Sequence, residues 1–138
     1  MDKKFKFLEH TADIKFQAFG ESLEKVFENS ALAMFNSMFD GKIKKTQKFN
    51  VKAKGKDLEN LLYNFLEELI VLFGGKQFFL SEVKEIKIDK KNLKLQAEVF
   101  GDKAENYKIH IDVKAITYSE MFVKKGKNKW IAQVVLDV

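Results

Sequence analysis

The 138-residue chain contains no cysteine, no proline and no arginine, and only two histidines. Without cysteine there is no disulfide framework, thiol nucleophile, zinc knuckle or iron–sulfur cluster. Without proline the composition lies far from collagen-like, polyproline or low-complexity sequence. Without arginine, phosphate and carboxylate recognition falls to lysine point charges, with no bidentate guanidinium fork. Long apolar runs are missing too. The longest are five residues, as in Leu69–Phe73, against the roughly 20 that span a bilayer. The opening residues Met1 to Phe7 hold no apolar run of leader length. The expectation is a single domain over 1–138, cytoplasmic and with no membrane association.

What is present is a chain that is 46% apolar, enough for one core of ordinary domain size. Twenty-five lysines face 20 acidic residues, a formal charge of +5 and a pI near 9.2. Phe5, Phe7, Ile14, Phe16 and Ala18 alternate with polar residues, which predicts two short strands broken at His10–Asp13. From Leu23 the period changes, and Val26, Phe27, Ser30, Ala31, Met34, Phe35 and Met38 join Leu23 on one helical face. Ser22 is the candidate N-cap, Glu24 suits the first turn, and Gly41 is a stop signal. Phe49, Val51 and Ala53 alternate with lysine and asparagine as a half-exposed strand. Asp57 opens a second helix with a wide apolar stripe from Leu58 to Phe73, which predicts a sandwiched helix ended by positive φ at Gly74-Gly75.

Four further strands are predicted, over Phe78–Ile88, Leu93–Phe100, Ile109–Val123 and Trp130–Val138. Turns fall at 89–92, at Gly101-Asp102 and at 125–128. Strands joined by short turns pair antiparallel. The expected fold is α+β, two helices packed on a mainly antiparallel sheet in the order ββαβαββββ.

Few residues can carry chemistry. No glycine pattern makes a phosphate-cradling loop; the glycines read as element ends and turns. His110 alternates with Ile109 and Ile111 and reads as the outer face of a strand. The segment His10-Thr11-Ala12-Asp13 interrupts an alternating stretch with an imidazole, a hydroxyl and a carboxylate. Its plainer reading is a turn in which Thr11 or Asp13 bonds nearby amides; its sharper one is a ligand site. At the other end, Leu136 and Val138 look like packing residues on a strand with no polar tail. The Asp137 side chain and the carboxylate of Val138 then lie close together. Two carboxylates about 4 Å apart repel by roughly 4 kcal/mol at an effective dielectric near 20. Solvent, a shared proton or a hard cation such as calcium or magnesium would relieve this. The lysines group around the third strand (Lys42 to Lys56) and the last hairpin (Lys124, Lys125, Lys127, Lys129). They read as edge protection or as a nucleic-acid face.

Phe7-Leu8-Glu9-His10-Thr11-Ala12-Asp13-Ile14, Ala31-Leu32-Ala33-Met34-Phe35, Phe65-Leu66-Glu67-Glu68-Leu69, Val113-Lys114-Ala115-Ile116-Thr117-Tyr118 and Val135-Leu136-Asp137-Val138 together resemble the archease family, in order and across essentially the whole chain. Glu9 departs from it, since many members carry aspartate there. The resemblance implies a non-catalytic activator of the tRNA-splicing RNA ligase, the GTP- and manganese-dependent enzyme that joins a 3′-phosphate end to a 5′-hydroxyl. Such an activator promotes guanylylation of the ligase's histidine and restores multiple turnover in tRNA splicing and RNA repair, meeting RNA indirectly through the ligase. The resemblance further implies a divalent metal, calcium, held by Asp13, Asp137 and Val138, with His10 and Lys114 as weaker candidates for partner contact. The rival reading is a lysine-rich RNA-binding module without catalytic role. A third, metal-dependent hydrolysis, lacks a clear general base beyond His10.

Overall fold

The computed structural model describes residues 3–9 and 13–138. Its elements run β1 (Phe5–Leu8), β2 (Ile14–Gly20), α1 (Leu23–Met38), β3 (Gln47–Lys54), α2 (Leu58–Lys76), β4 (Phe78–Asp89), β5 (Lys94–Lys103), a short 3-10 turn (Ala104–Asn106), β6 (Ala115–Lys125) and β7 (Trp130–Asp137). The α+β class and the order ββαβαββββ are as the patterning predicts. Alternation cannot say which strands pair, and the strands form two sheets rather than one. The first has the order β1-β2-β7-β6 and the second β3-β5-β4, with antiparallel pairing throughout the described ladders.

Both helices start where their caps stand. The Ser22 hydroxyl accepts from the Lys25 N–H and the Asp57 carboxylate from the Asn60 N–H. Each satisfies an amide that the helix leaves unbonded, worth about 1 kcal/mol. All eight residues of the α1 stripe are buried, and α1 packs on β2 and β7 of one sheet and β4 of the other. It is α1, therefore, that is the more fully sandwiched helix. α2 also touches both sheets, and Phe65 stacks on Phe27 of α1 at 6.2 Å, but Glu67, Glu68 and Val71 stay exposed. Its end differs from expectation. The helix runs through Gly74 and Gly75 to Lys76, and the left-handed residue is Gln77 at φ 53°. The Gln77 N–H reaches the Leu72 carbonyl, so the capping bond forms two residues later than the glycines suggest.

Two other expectations are corrected. Residues 109–114 are not strand, and β6 begins only at Ala115. The His110 N–H donates to the Met38 carbonyl at the end of α1 and the Lys114 N–H to the Asp137 carbonyl; His110 itself is exposed. Gly101-Asp102 is not a turn but lies inside β5. A Cβ at Gly101 would sit 2.0 Å from the Phe79 carbonyl oxygen and 2.7 Å from the Phe78 ring, so this glycine serves close strand approach rather than chain reversal.

Asp102, 3% exposed, is an anchor. It accepts from the hydroxyls of Thr46 and Tyr107 and from the Asn106 amide, tying β5 to the start of β3 and to the 3-10 turn. These bonds, Thr46 first and Tyr107 next, hold its carboxyl well below the usual carboxylate range against the opposing effect of burial. A lowered native value means that the unfolded chain binds this proton more readily. The stabilisation is thus full above about pH 4 and is lost as pH falls toward the native value. Asp102→Asn is expected to lower the urea midpoint at neutral pH, with the gap to wild type closing below about pH 4. A gap that ignores pH would show that the charge of Asp102 is irrelevant to its anchoring.

Candidate functional site

β7 lies at the centre of the first sheet, between β2 and β6. Its chain end therefore meets two neighbours. Ile14 pairs with Leu136 and Lys15 with Val135, so continuing the register by one residue sets Asp13 opposite Asp137. On the other side Ala115 pairs with Asp137, and the Lys114 N–H holds the Asp137 carbonyl at 2.9 Å. Alternation puts Asp137 on the sheet face shared by Lys15, Val135 and Thr117, while Asp13 lies in the bend that leads into β2. Asp137 and Lys114 are exposed, while Asp13 and Val138 are half-buried. Val138 packs against the core beside fully buried Leu136, as its apolar character predicts.

The sheet thus gathers Asp13, Asp137, Val138 and Lys114 at one end. His10 lies outside the described residues. The nearby cation Lys15 is paired with Glu120 at 2.9 Å. Glu120 sits in a β6 bulge, between Thr117 and Phe122, at φ 54°. That bulge is clamped in place. Tyr118 stacks on Tyr63 of α2 at 4.3 Å, nearly parallel, its hydroxyl accepts from Asn60, and the Gln133 amide donates to the Glu120 carbonyl. Among the described residues, no three His, Asp or Glu side chains gather closely enough to hold a metal ion. Asp13, Asp137 and the main chain of Val138 offer oxygen donors alone, the kind that a hard cation takes.

At the opposite end of the same sheet lies a groove that residue patterning misses. It is lined by six exposed lysines: Lys3, Lys4, Lys6, Lys25, Lys127 and Lys129. Only the last two belong to a lysine group visible in the sequence. The available signal was the Lys3-Lys4-Phe5-Lys6 run, which nothing local connects to the β6–β7 hairpin.

The described residues include no helix long and apolar enough to cross a membrane. A small two-helix, two-sheet domain with an acidic strand end and a basic groove is the class of protein defined so far. Residues 5–138 match the description "Archease protein family (MTH1598/TM1083)", and the chain belongs to that family. It is 40% identical over 141 residues to protein archease of Methanosarcina mazei, covering 99% of this chain and 97% of that one. The protein archease of Pyrococcus abyssi is 40% identical over 142 residues, 99% of each chain. The solution structure of Methanobacterium thermoautotrophicum protein 1598 superposes with a TM-score of 0.80 at 35% identity, covering 98% of this chain and 99% of that one. The crystal structure of a Thermotoga maritima archease, described as a possible chaperone, superposes with a TM-score of 0.67 over 96% of each chain; at 20% identity it speaks for the fold alone.

Proposed function

We propose that the chain is a non-catalytic activator of the GTP-dependent tRNA-splicing RNA ligase, promoting guanylylation of the ligase's catalytic histidine and hence multiple turnover. The observation that supports this reading most is family membership over residues 5–138, joined to the placement of Asp13, just before β2, and of Asp137 and Val138, at the close of β7, at the same end of the sheet.

In this reading those three residues hold a divalent cation, calcium, through oxygen donors alone. When bound, the ion supplies positive charge for organising nucleotide phosphate oxygens at the ligase. The chain's own part is positional. Asp137 closes β7 and Asp13 stands in the bend just before β2, the strand paired with it, and a geometry held in advance is what an in-line attack requires. The backbone bond from Lys114 fixes the end of β7, and its exposed ammonium is placed to meet an acidic or phosphate group of the partner. His10 is a further partner contact, beside Asp13 in sequence. The test is ligation by limiting ligase. With the chain present, each ligase molecule is expected to seal many RNA ends; without it, turnover should stall after about one round. Equal turnover in both would overturn the proposal.

A further inference from the structure

We propose that the lysine groove at the far end of the first sheet is a binding site for the phosphate backbone of single-stranded RNA. The inference rests on the ligase-activator reading for its choice of polyanion, and on the following geometry for its place.

The groove has a volume of about 1370 Å³. Its six lysines and one acid, Glu21, give it a net charge equal to the +5 of the entire chain. Elsewhere among the described residues, lysines stand against acids. In the groove beside α2 and β5, four lysines face Glu67, Glu68 and Asp89, and on β3 and its approach Lys48 pairs with Glu98 and Lys45 with Glu82. A solubilising surface would spread its excess charge, whereas this one concentrates it. Concentrated charge of one sign in a concave surface focuses the field on an oppositely charged chain.

The lysines also stand on ordered backbone from three parts of the chain. The Phe19 N–H donates to the Lys4 carbonyl, and the Gly126 N–H to the Lys129 carbonyl at 2.7 Å. Lys129 and Lys6 both reach over the Phe19 ring, at 4.5 and 5.9 Å. Lys25 comes from the first turn of α1 and is partly offset by Glu28 at 3.3 Å. That helix start adds its own positive end to the groove. Beneath lies Asn29, 3% exposed. Its amide donates to the Phe19 carbonyl, while its Oδ1 has no partner among the described residues. A cationic groove suits a ligand rich in phosphates.

The kind of polyanion follows from what lines the groove. Among the described residues, the exposed large apolar ones, Phe7, Val71, Ile111 and Tyr118, all lie outside its lining, and the apolar side chains within it, Phe19 and Ile131, are half-buried, so it presents charge in place of the exposed wedge that enters a lipid surface. Lysine point charges without base-reading arginine fit backbone contact without sequence preference. β2 spans seven residues between the two ends, or roughly 20 Å at strand rise. RNA held at the basic end is thereby kept clear of the carboxylates, which would repel it, while remaining within reach of the enzyme they engage.

The experiment is fluorescence anisotropy with the full chain and a short labelled single-stranded oligoribonucleotide between about 50 and 200 mM salt. Each phosphate contact steepens the log–log salt slope by about 0.7. The Lys127→Glu, Lys129→Glu double variant is expected to lose at least about tenfold in affinity and about 1.4 of that slope. The Lys52→Glu, Lys54→Glu double variant, equal in charge change, should lose no more than about twofold, the share left to long-range charge. Equal loss in both variants, no binding at the lowest salt, or tighter binding to phosphatidylserine vesicles than to RNA would overturn the inference. Ligase–GMP formation, scored without RNA, separates the two proposals. A chain that binds RNA but leaves that step unstimulated would retain the groove and lose the activator reading; the converse result would lose the groove alone.

Discussion

Asp137→Ala is expected to reduce stimulated ligase–GMP formation by about 10–100-fold, the scale seen when groups that hold or orient a bound metal are removed, while leaving the fold intact. The side chain is exposed, and exposed substitutions usually move stability by no more than about 0.5 kcal/mol. Here the sign should be neutral or favourable. Asp13, Asp137 and the carboxylate at Val138 share one sheet end, and without a cation their mutual repulsion is relieved when one is removed. Asp13→Asn, which keeps the shape of a half-buried side chain, should give the same loss of activation. Urea unfolding and the guanylylation assay on the same preparations check both halves. A variant that is grossly unfolded, or folded and fully active, would show that these carboxylates serve the fold or nothing at all.

Extending the chain beyond Val138 is expected to be nearly as damaging. A peptide bond there turns the carboxylate into an amide, deleting a full negative charge and leaving a carbonyl oxygen. The strand end is also held, because the Asp137 carbonyl accepts from Lys114 and Val138 packs on the core. Added residues must then leave through the space in front of Asp13 and Asp137. Extension before Met1 touches none of this, since Phe5 pairs with Ala18 and the first strand therefore starts at the other end of the sheet. Calorimetric calcium titration should show affinity lost on C-terminal extension and kept on N-terminal extension of equal length. The N-terminal extension is not harmless everywhere: it abuts Lys3 and Lys4 in the lysine groove and should weaken RNA binding instead. Equal calcium affinity in both extended proteins would reduce Val138 to the last residue of a strand.

Local signals suffice where local physics decides. The 3.6-residue stripe of α1, its Ser22 cap and the Asp57 cap of α2 concern neighbours in sequence, and their hydrogen bonds form within three residues. Decisions made by distant residues were not legible. Gly101 looks like a turn residue until the Phe79 carbonyl arrives against it. Ile109–Val113 alternates like a strand, yet the His110 N–H bonds to the Met38 carbonyl at the end of α1, a partner 72 residues away in sequence. The candidate site divides in the same way. Asp13 and Asp137 each stand out alone, one as a polar break and the other as a charged strand end, and the pairing of Ile14 with Leu136 brings the two segments to one sheet end. The lysine groove had no such marker, since its members come from both ends of the chain and each alone looks like a solvated surface residue.

If the carboxylate end of this sheet speeds the charging of an RNA ligase, a single-turnover measurement of ligase–GMP formation from labelled GTP, with and without this chain and with no RNA added, will register it. Covalent guanylylation should accelerate with the wild-type chain and fall back to the unaided rate with Asp137→Ala. The same rate in all three reactions would contradict the claim.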